Sequence, residues 1–146
     1  MSKLEHAGSF RDLIVYQKSR ELSREIFRMT RGFPGEEMFS LTDQVRRSSR
    51  SIGAQIAEAW AKRRYERHFI SKLTDADGEQ LETQHWIGVA FDCEYIGKEA
   101  GGELNEKCKE IGRMLSGMIE KADLFCGEPP RTLREESATY FADTDN

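Results

Sequence analysis

The sequence predicts an all-α protein that folds as an antiparallel up-down four-helix bundle. Four segments repeat apolar or small residues at helical spacing, and only 3 prolines occur in 146 residues of which 33% are charged. No stretch of useful length alternates with the period of two that is typical of a strand. Four helices of about 22–32 residues, joined by short connections, suit such a bundle.

The first predicted helix begins at Ser9, whose hydroxyl can cap it together with Asp12 three residues later. Apolar or small residues then recur every three or four positions, at Val15, Ser19, Leu22, Ile26 and Met29. The helix should end before the Gly-Phe-Pro-Gly turn at 32–35, because proline and glycine interrupt helices.

The second helix is predicted to begin near Ser40, with Glu58 outside its apolar stripe and paired with Lys62 four residues on. Its stripe contains Leu41, Val45, Ser48, Ile52, Ile56 and Ala59. The third helix should run from about Tyr65 to Ile96, with Leu81 and Tyr95 at the edge of the stripe. It should bury Phe69, Leu73, Ala76, Ile87 and Phe91.

The fourth helix follows a turn that the sequence places at Gly97, Gly101 and Gly102. Its stripe has an average spacing of about 3.5 residues, which is typical of helices that cross at shallow angles. The stripe consists of Leu104, Cys108, Ile111, Leu115, Met118, Ala122 and Phe125. The bundle should therefore occupy residues 1–126, followed by a polar tail at 127–146.

The charge is unevenly distributed along the chain, although the net charge is only −4. Residues 11–72 contain 14 basic and 8 acidic residues, whereas residues 73–146 contain 7 basic and 17 acidic ones. Such polarity favours either an anionic partner for the first part or self-association of opposite patches.

The residues that could carry catalysis or bind a metal are too few to form a site. Only Glu82 and His85 form a Glu-x-x-His pair, and a bundle metal centre needs two. The three cysteines, at 93, 108 and 126, form no Cys-x-x-Cys pair and are expected to be reduced thiols. No signal peptide or membrane span is recognisable. We expect a cytoplasmic protein that is not an enzyme and has no cofactor, metal or membrane partner.

The first two helices and the turn after them carry arginines on their outer faces, and arginine suits phosphate because it donates bidentate hydrogen bonds. No exposed aromatic side chain is expected on these faces. The sequence therefore predicts binding to RNA or DNA through the phosphate backbone, with little base recognition. The predicted contacts are Arg20, Arg24, Arg28, Arg31, Arg46, Arg47, Arg50, Arg63, Arg64 and Arg67.

A second polar line follows the third helix and allows two interpretations. It contains Asp75, Glu79, Glu82 and an outward-facing Trp86, after His68 and Lys72. In one interpretation the acids pair with Arg47 and Arg50 of the neighbouring helix in the same chain. In the other, Asp75, Glu79, Glu82 and Trp86 form a subunit interface, since an exposed tryptophan is unusual in a monomer.

Residues 39–60, FSLTDQVRRSSRSIGAQIAEAW, resemble the four-helix-bundle family of 23S ribosomal-RNA intervening-sequence proteins. The resemblance covers about residues 10–125. The supporting pieces are FRDLIVYQKS in the first helix, the Phe33-Pro34 turn, residues 44–47, residues 51–58, residues 69–77 and the Tyr95-Ile96 ending. The chain departs from the family pattern at Gln55, Ala59 and Asp77-Gly78, which indicates altered helix packing.

The resemblance implies a bacterial-type accessory protein that assembles as a homopentamer of up-down bundles. The family is similar to the accessory variability determinant proteins of diversity-generating retroelements, which bind nucleic acid and a reverse transcriptase. The alternative to nucleic-acid binding is therefore an adaptor or accessory subunit that docks another protein, for example a reverse transcriptase. The resemblance implies no catalytic residues.

Overall fold

A computed structural model describes residues 7–127 of the chain. Four long helices account for most of this part, and no strand occurs within it. They are α1 (Ile14–Thr30), α2 (Leu41–Ala61), α3 (Glu66–Asp92) and α4 (Lys98–Glu120), followed by the short α5 (Ala122–Phe125). The prediction of an all-α four-helix bundle is confirmed, whereas the predicted tail lies outside the described residues from 128 onwards.

The bundle forms because each helix packs its apolar stripe against its two neighbours. α1 contacts α2 and α4, and α3 contacts the same two helices, so the four stripes close around one core. Every predicted stripe position of α2 and α4 is buried, including those in α5, and so are four of the five in α1. Met29 is the exception and is partly buried against the core. Complete burial of an aliphatic or aromatic side chain contributes about 1.5–3 kcal/mol.

The α3 stripe differs from the prediction at its second half. Phe91 is exposed, and Ala90 is buried in its place. The buried line continues through two polar residues, Gln80 and Thr83. Their hydrogen bonds explain their burial, because Thr83 Oγ1 lies 2.9 Å from Ser48 Oγ and Gln80 Nε2 donates to Asp77 Oδ1 at 2.9 Å.

The helix boundaries also differ from the prediction at four places, three of them in α1 and α4. Ser9 and Asp12 form the expected capping box, but it caps a single 3-10 turn at Phe10–Asp12 and α1 begins afterwards. Gly101 and Gly102 lie inside α4, so only Gly97 belongs to the preceding turn. The fourth predicted helix is interrupted at Lys121, between α4 and α5.

α3 ends four residues before the predicted Ile96 because the chain turns at Glu94, whose φ of 63° is in the left-handed region. Tyr95 N donates to Ala90 O at 3.0 Å, and Glu94 N donates to Phe91 O at 3.0 Å. These are the two hydrogen bonds of a Schellman motif. Glycine usually occupies the left-handed position, so a glutamate there gives no sequence signal of the helix end.

We expect a charge at Leu115, which is 0% exposed in the middle of the α4 stripe, to destabilise the bundle. Leu115→Asp should lower the free energy of unfolding by about 3–5 kcal/mol, because it buries an unpaired carboxylate. Ser116→Asp places the same charge on the exposed side of α4 and should change stability by less than about 0.5 kcal/mol. Urea denaturation followed by circular dichroism measures both. Equal midpoints for Leu115→Asp and the wild type would contradict the core described above.

Candidate nucleic-acid interface

The arginines of α1 line one exposed surface together with part of α2. Arg20, Arg24, Arg28 and Arg31 recur every three or four residues and are all exposed. An open depression of about 550 Å³ lies among them, and Arg50 of α2 borders its other side. We call this surface the arginine face and define it as Arg20, Arg24, Arg28, Arg31, Arg46 and Arg50.

Phe27 lies at the centre of the arginine face. The guanidinium carbon of Arg46 is 4.7 Å from the centre of the Phe27 ring, and those of Arg31 and Arg50 are each 5.8 Å away. Arg46 is fixed further because its Nε donates to Thr30 Oγ1 at 2.7 Å. Cation–π contact with one ring therefore holds three guanidinium groups from two helices close together.

Within residues 7–127, ion pairs do not neutralise the charge of the arginine face. Among residues 7–127, no carboxylate oxygen lies within 4.0 Å of any of its six guanidinium groups. Arg20 donates instead to the hydroxyl of Tyr16 at 2.8 Å. An anion that approaches this surface therefore does not have to displace a carboxylate of residues 7–127.

A second depression, of about 530 Å³, continues from Arg50 toward the start of α2. Arg46, Arg47 and Arg50 line it together with Phe39, whose side chain is 95% exposed. Asp43 is its acidic residue.

The expectation of no aromatic residue on the basic faces is therefore wrong at Phe27 and Phe39. Phe27 could have been found, because it follows Arg20 by seven residues and so shares its side of α1. Phe39 lies in a turn, where helical periodicity gives no signal.

Arg47 belongs to a different set of contacts from the arginine face. Its guanidinium forms an ion pair of 2.8 Å with Glu82 of α3, as the intramolecular interpretation of the acidic line predicted. Lys72 pairs with Glu58 at 2.9 Å, so the predicted Glu58–Lys62 pair is wrong. Both pairs join α2 to α3 across the surface.

The acidic line of α3 lies partly in the seam with α2. Burial is the main cause that raises the pKa of Glu79, and nearby Glu82 raises it further. Trp86 does not face outward as expected, since it packs against the core with its indole nitrogen buried. Asp75 is exposed. The role of these residues in a subunit interface stays a prediction.

Arg63, Arg64 and Arg67 lie beyond the C-terminal end of α2, away from the arginine face. The helix from Arg50 to the end of α2 at Ala61 alone spans about 16 Å at 1.5 Å per residue. The Arg63 guanidinium stacks 3.5 Å from the Trp60 ring, its Nε donates to Trp60 O at 2.8 Å, and burial lowers its pKa. The carbonyl of Arg63 also accepts a hydrogen bond from Gly127 N at 2.9 Å. Arg63 thus stabilises the turn between α2 and α3.

Comparison with known proteins identifies the family of this chain. The profile described as 23S rRNA-intervening sequence protein matches residues 11–117. The chain belongs to the 23S rRNA-intervening sequence protein family. Among curated proteins, none is similar enough in sequence to count as a relative.

A solved structure of the same kind supports the fold. It is the crystal structure, at 1.70 Å resolution, of a protein of unknown function from the S23 ribosomal protein family of Bacteroides thetaiotaomicron. The two chains are 32% identical with a TM-score of 0.67, and the match covers 73% of this chain and 96% of the other.

Residues 7–127 contain neither a metal-binding cluster nor a membrane-spanning helix. No group of three or more histidine, cysteine, aspartate or glutamate side chains in this part is placed to hold a metal ion. None of its helices is both long enough and apolar enough to cross a membrane.

Burial raises the pKa of the Cys108 thiol to about 12, so this thiol is protonated inside the core.

We expect the two groups of arginines to differ in their effect on stability. Arg63→Ala should lower the free energy of unfolding by about 1–2 kcal/mol, because it removes the stacking on Trp60 and a hydrogen bond. Arg28→Ala should change it by less than about 0.5 kcal/mol, since Arg28 is exposed. Thermal and urea denaturation compare the two variants. A loss for Arg28→Ala as large as for Arg63→Ala would show that the arginine face stabilises the fold instead of remaining available to a ligand.

Proposed function

We propose that this protein is a non-enzymatic oligomer whose arginine face binds RNA or DNA through the phosphate backbone. The observation that supports this most strongly is the arginine face itself, because three of its six guanidinium groups contact Phe27 and none of the six has a carboxylate partner in residues 7–127. Arginine donates to phosphate in a planar, bidentate geometry that lysine cannot match.

The length of the face also suits a nucleic-acid backbone. Arg20 lies in α1 and Arg31 caps the C-terminal end of that helix with a helical backbone conformation, so the 11 residues between them correspond to about 16 Å. A nucleic-acid backbone presents several phosphates over such a distance. Because phosphate contacts carry no sequence information directly, we propose binding with little base recognition.

A second candidate function is an adaptor or accessory subunit that docks another protein, for example a reverse transcriptase. The exposed Met38 and Phe39 favour it, because methionine, aromatic and arginine residues are enriched in protein interfaces. Salt distinguishes the two functions. Capture of a protein partner through apolar contacts should survive high salt, whereas phosphate binding should not.

We further propose that the chain assembles in the cytoplasm as a homopentamer, as its family resemblance implies, with Asp75, Glu79, Glu82 and Trp86 near the contact. Assembly repeats the arginine face on one body, and several weak patches that contact one nucleic acid gain avidity.

We expect affinity for nucleic acid to fall steeply with salt. Six phosphate contacts on a duplex predict a loss of about a thousandfold between about 50 and 200 mM salt. A variant with Arg20→Ala, Arg24→Ala and Arg28→Ala should reduce the slope of log K against log salt by about 2–3. Fluorescence anisotropy with labelled RNA and DNA measures both slopes.

The matched control for this titration removes the same charge from α4. Lys98→Ala, Lys109→Ala and Arg113→Ala change three exposed basic residues and should leave the wild-type slope intact. If neither RNA nor DNA binds the wild type at low salt, or if both triple variants weaken binding equally, the proposal is wrong.

We expect light scattering coupled to size exclusion to give about five times the 16.8 kDa of one chain. Trp86→Ala with Glu82→Ala should lower this mass if the α3 line is the contact. Ser116→Asp, on the exposed side of α4, serves as the control and should leave the mass unchanged. A mass of 16.8 kDa for the wild type at micromolar concentration would contradict the assembly.

A further inference from the structure

Phe39 is the most exposed large apolar side chain of residues 7–127, and the backbone holds it in a defined place. Its ring is 95% exposed. Ser40 N donates to Glu37 O at 3.0 Å, and Ser40 O accepts from Gln44 N at 3.0 Å as α2 begins. On the other side, Met38 N donates to Gly35 O at 3.1 Å. The ring therefore projects into solvent from a hydrogen-bonded turn.

The surroundings of Phe39 are cationic. Arg46, Arg47 and Arg50 line the same depression, with Asp43 as the acid among them. Arg47 is paired with Glu82, whereas Arg46 and Arg50 have no carboxylate partner in residues 7–127 and line the same depression as Phe39. Both of these also contact Phe27, so the depression at Phe39 continues directly into the arginine face.

A flat π-surface that lines one depression with two cationic side chains matches the chemistry of an unpaired nucleotide. A base can stack on the phenyl ring while its phosphates reach the guanidinium groups, and such stacking tolerates any base. In a duplex the bases are stacked and paired, so their faces cannot reach a side chain without disruption of the helix. Phe39 should therefore add affinity for single strands only.

A protein partner fits this site less well. Met38 and Phe39 form a small apolar area that is bordered by charged side chains. A stable protein interface buries about 800 Å² on each partner around a core depleted of charge. The Phe27 ring, the nearest other apolar group, is already approached by three guanidinium groups.

We propose that Phe39 is a stacking platform for an unpaired base, so that this surface binds single-stranded RNA or DNA in preference to duplex. The inference rests on the proposed nucleic-acid binding by the arginine face and adds the class of nucleic acid to it.

The test compares single strands with duplexes on the full chain. The probes are labelled oligo-U and oligo-dT of about 15 nucleotides, which present unpaired bases, and duplexes of the same length. At about 50 mM salt the wild type should bind the single strands about tenfold more tightly than the duplexes. Phe39→Ala should lose this tenfold on single strands and keep the duplex affinity, whereas Phe39→Trp should retain both.

Two further variants separate stacking from a general effect of exposed aromatic residues. Tyr65→Ala removes a ring that is 59% exposed at the far end of α2 and should leave both affinities unchanged. Emission from the new indole of Phe39→Trp should be quenched when oligo-dT binds, and emission from Tyr65→Trp should not. The native Trp60 and Trp86 contribute the same background to both.

Each outcome decides between the two proposals. If the wild type binds neither single strands nor duplexes, both proposals fail. If it binds both equally, or if Phe39→Ala keeps the preference for single strands, the stacking platform is wrong and backbone binding stands. If Phe39→Ala changes the mass measured by light scattering, Phe39 is a subunit contact and the inference is overturned. Preference for oligo-U or for oligo-dT identifies the strand as RNA or DNA.

Discussion

The close approach of α1 and α2 is the constraint on which the arginine face depends. Small residues make it possible, since a Cβ atom at Gly53 would lie 3.1 Å from Ser19 Oγ and 3.4 Å from Cε2 of Tyr16. Ser19 can be buried there because its hydroxyl donates to Tyr16 O at 2.6 Å. With the two helices this close, Arg46 and Arg50 of α2 reach the Phe27 ring on α1. A wider spacing would leave two separate rows of arginines with no shared ring.

In two other helix seams, basic side chains are paired with carboxylates and are not free to bind an anion. Between α1 and α4, Lys18 pairs with Glu110 at 3.2 Å, and Lys107 pairs with Glu25. Between α2 and α3, Arg47 and Lys72 are paired in the same way. Exposed pairs of this kind add little stability. Their effect is to neutralise basic side chains in these seams, whereas the six guanidinium groups of the arginine face have no carboxylate partner in residues 7–127.

The sequence predicted those parts of the fold in which burial follows apolar character, as in α2 and α4. The prediction failed in α3 because two polar residues, Gln80 and Thr83, occupy core positions. A stripe traced through apolar residues alone misses them and ends at Phe91, which is exposed, instead of at the buried Ala90. α3 ends through backbone hydrogen bonds around a left-handed Glu94. Glutamate is uncommon at that position, so the sequence does not indicate the helix end. The arginines of α1 were predictable from periodicity, whereas their distances to Phe27 depend on how closely α2 packs. Phe39 has no periodic partner, so only the structure shows its exposure.

The turn position of Phe39 also bears on how tightly a single copy could bind. A ring carried by a hydrogen-bonded turn needs little further ordering when a base stacks on it, and preorganisation of this kind improves affinity. One ring and a few guanidinium groups nevertheless form a small site. Repetition of the site in an oligomer raises the overall affinity, because a strand that is bound at one copy meets the next copy at high effective concentration. In the proposed assembly, affinity should therefore depend on whether a strand is long enough to span two copies, even though each copy recognises only backbone and base faces.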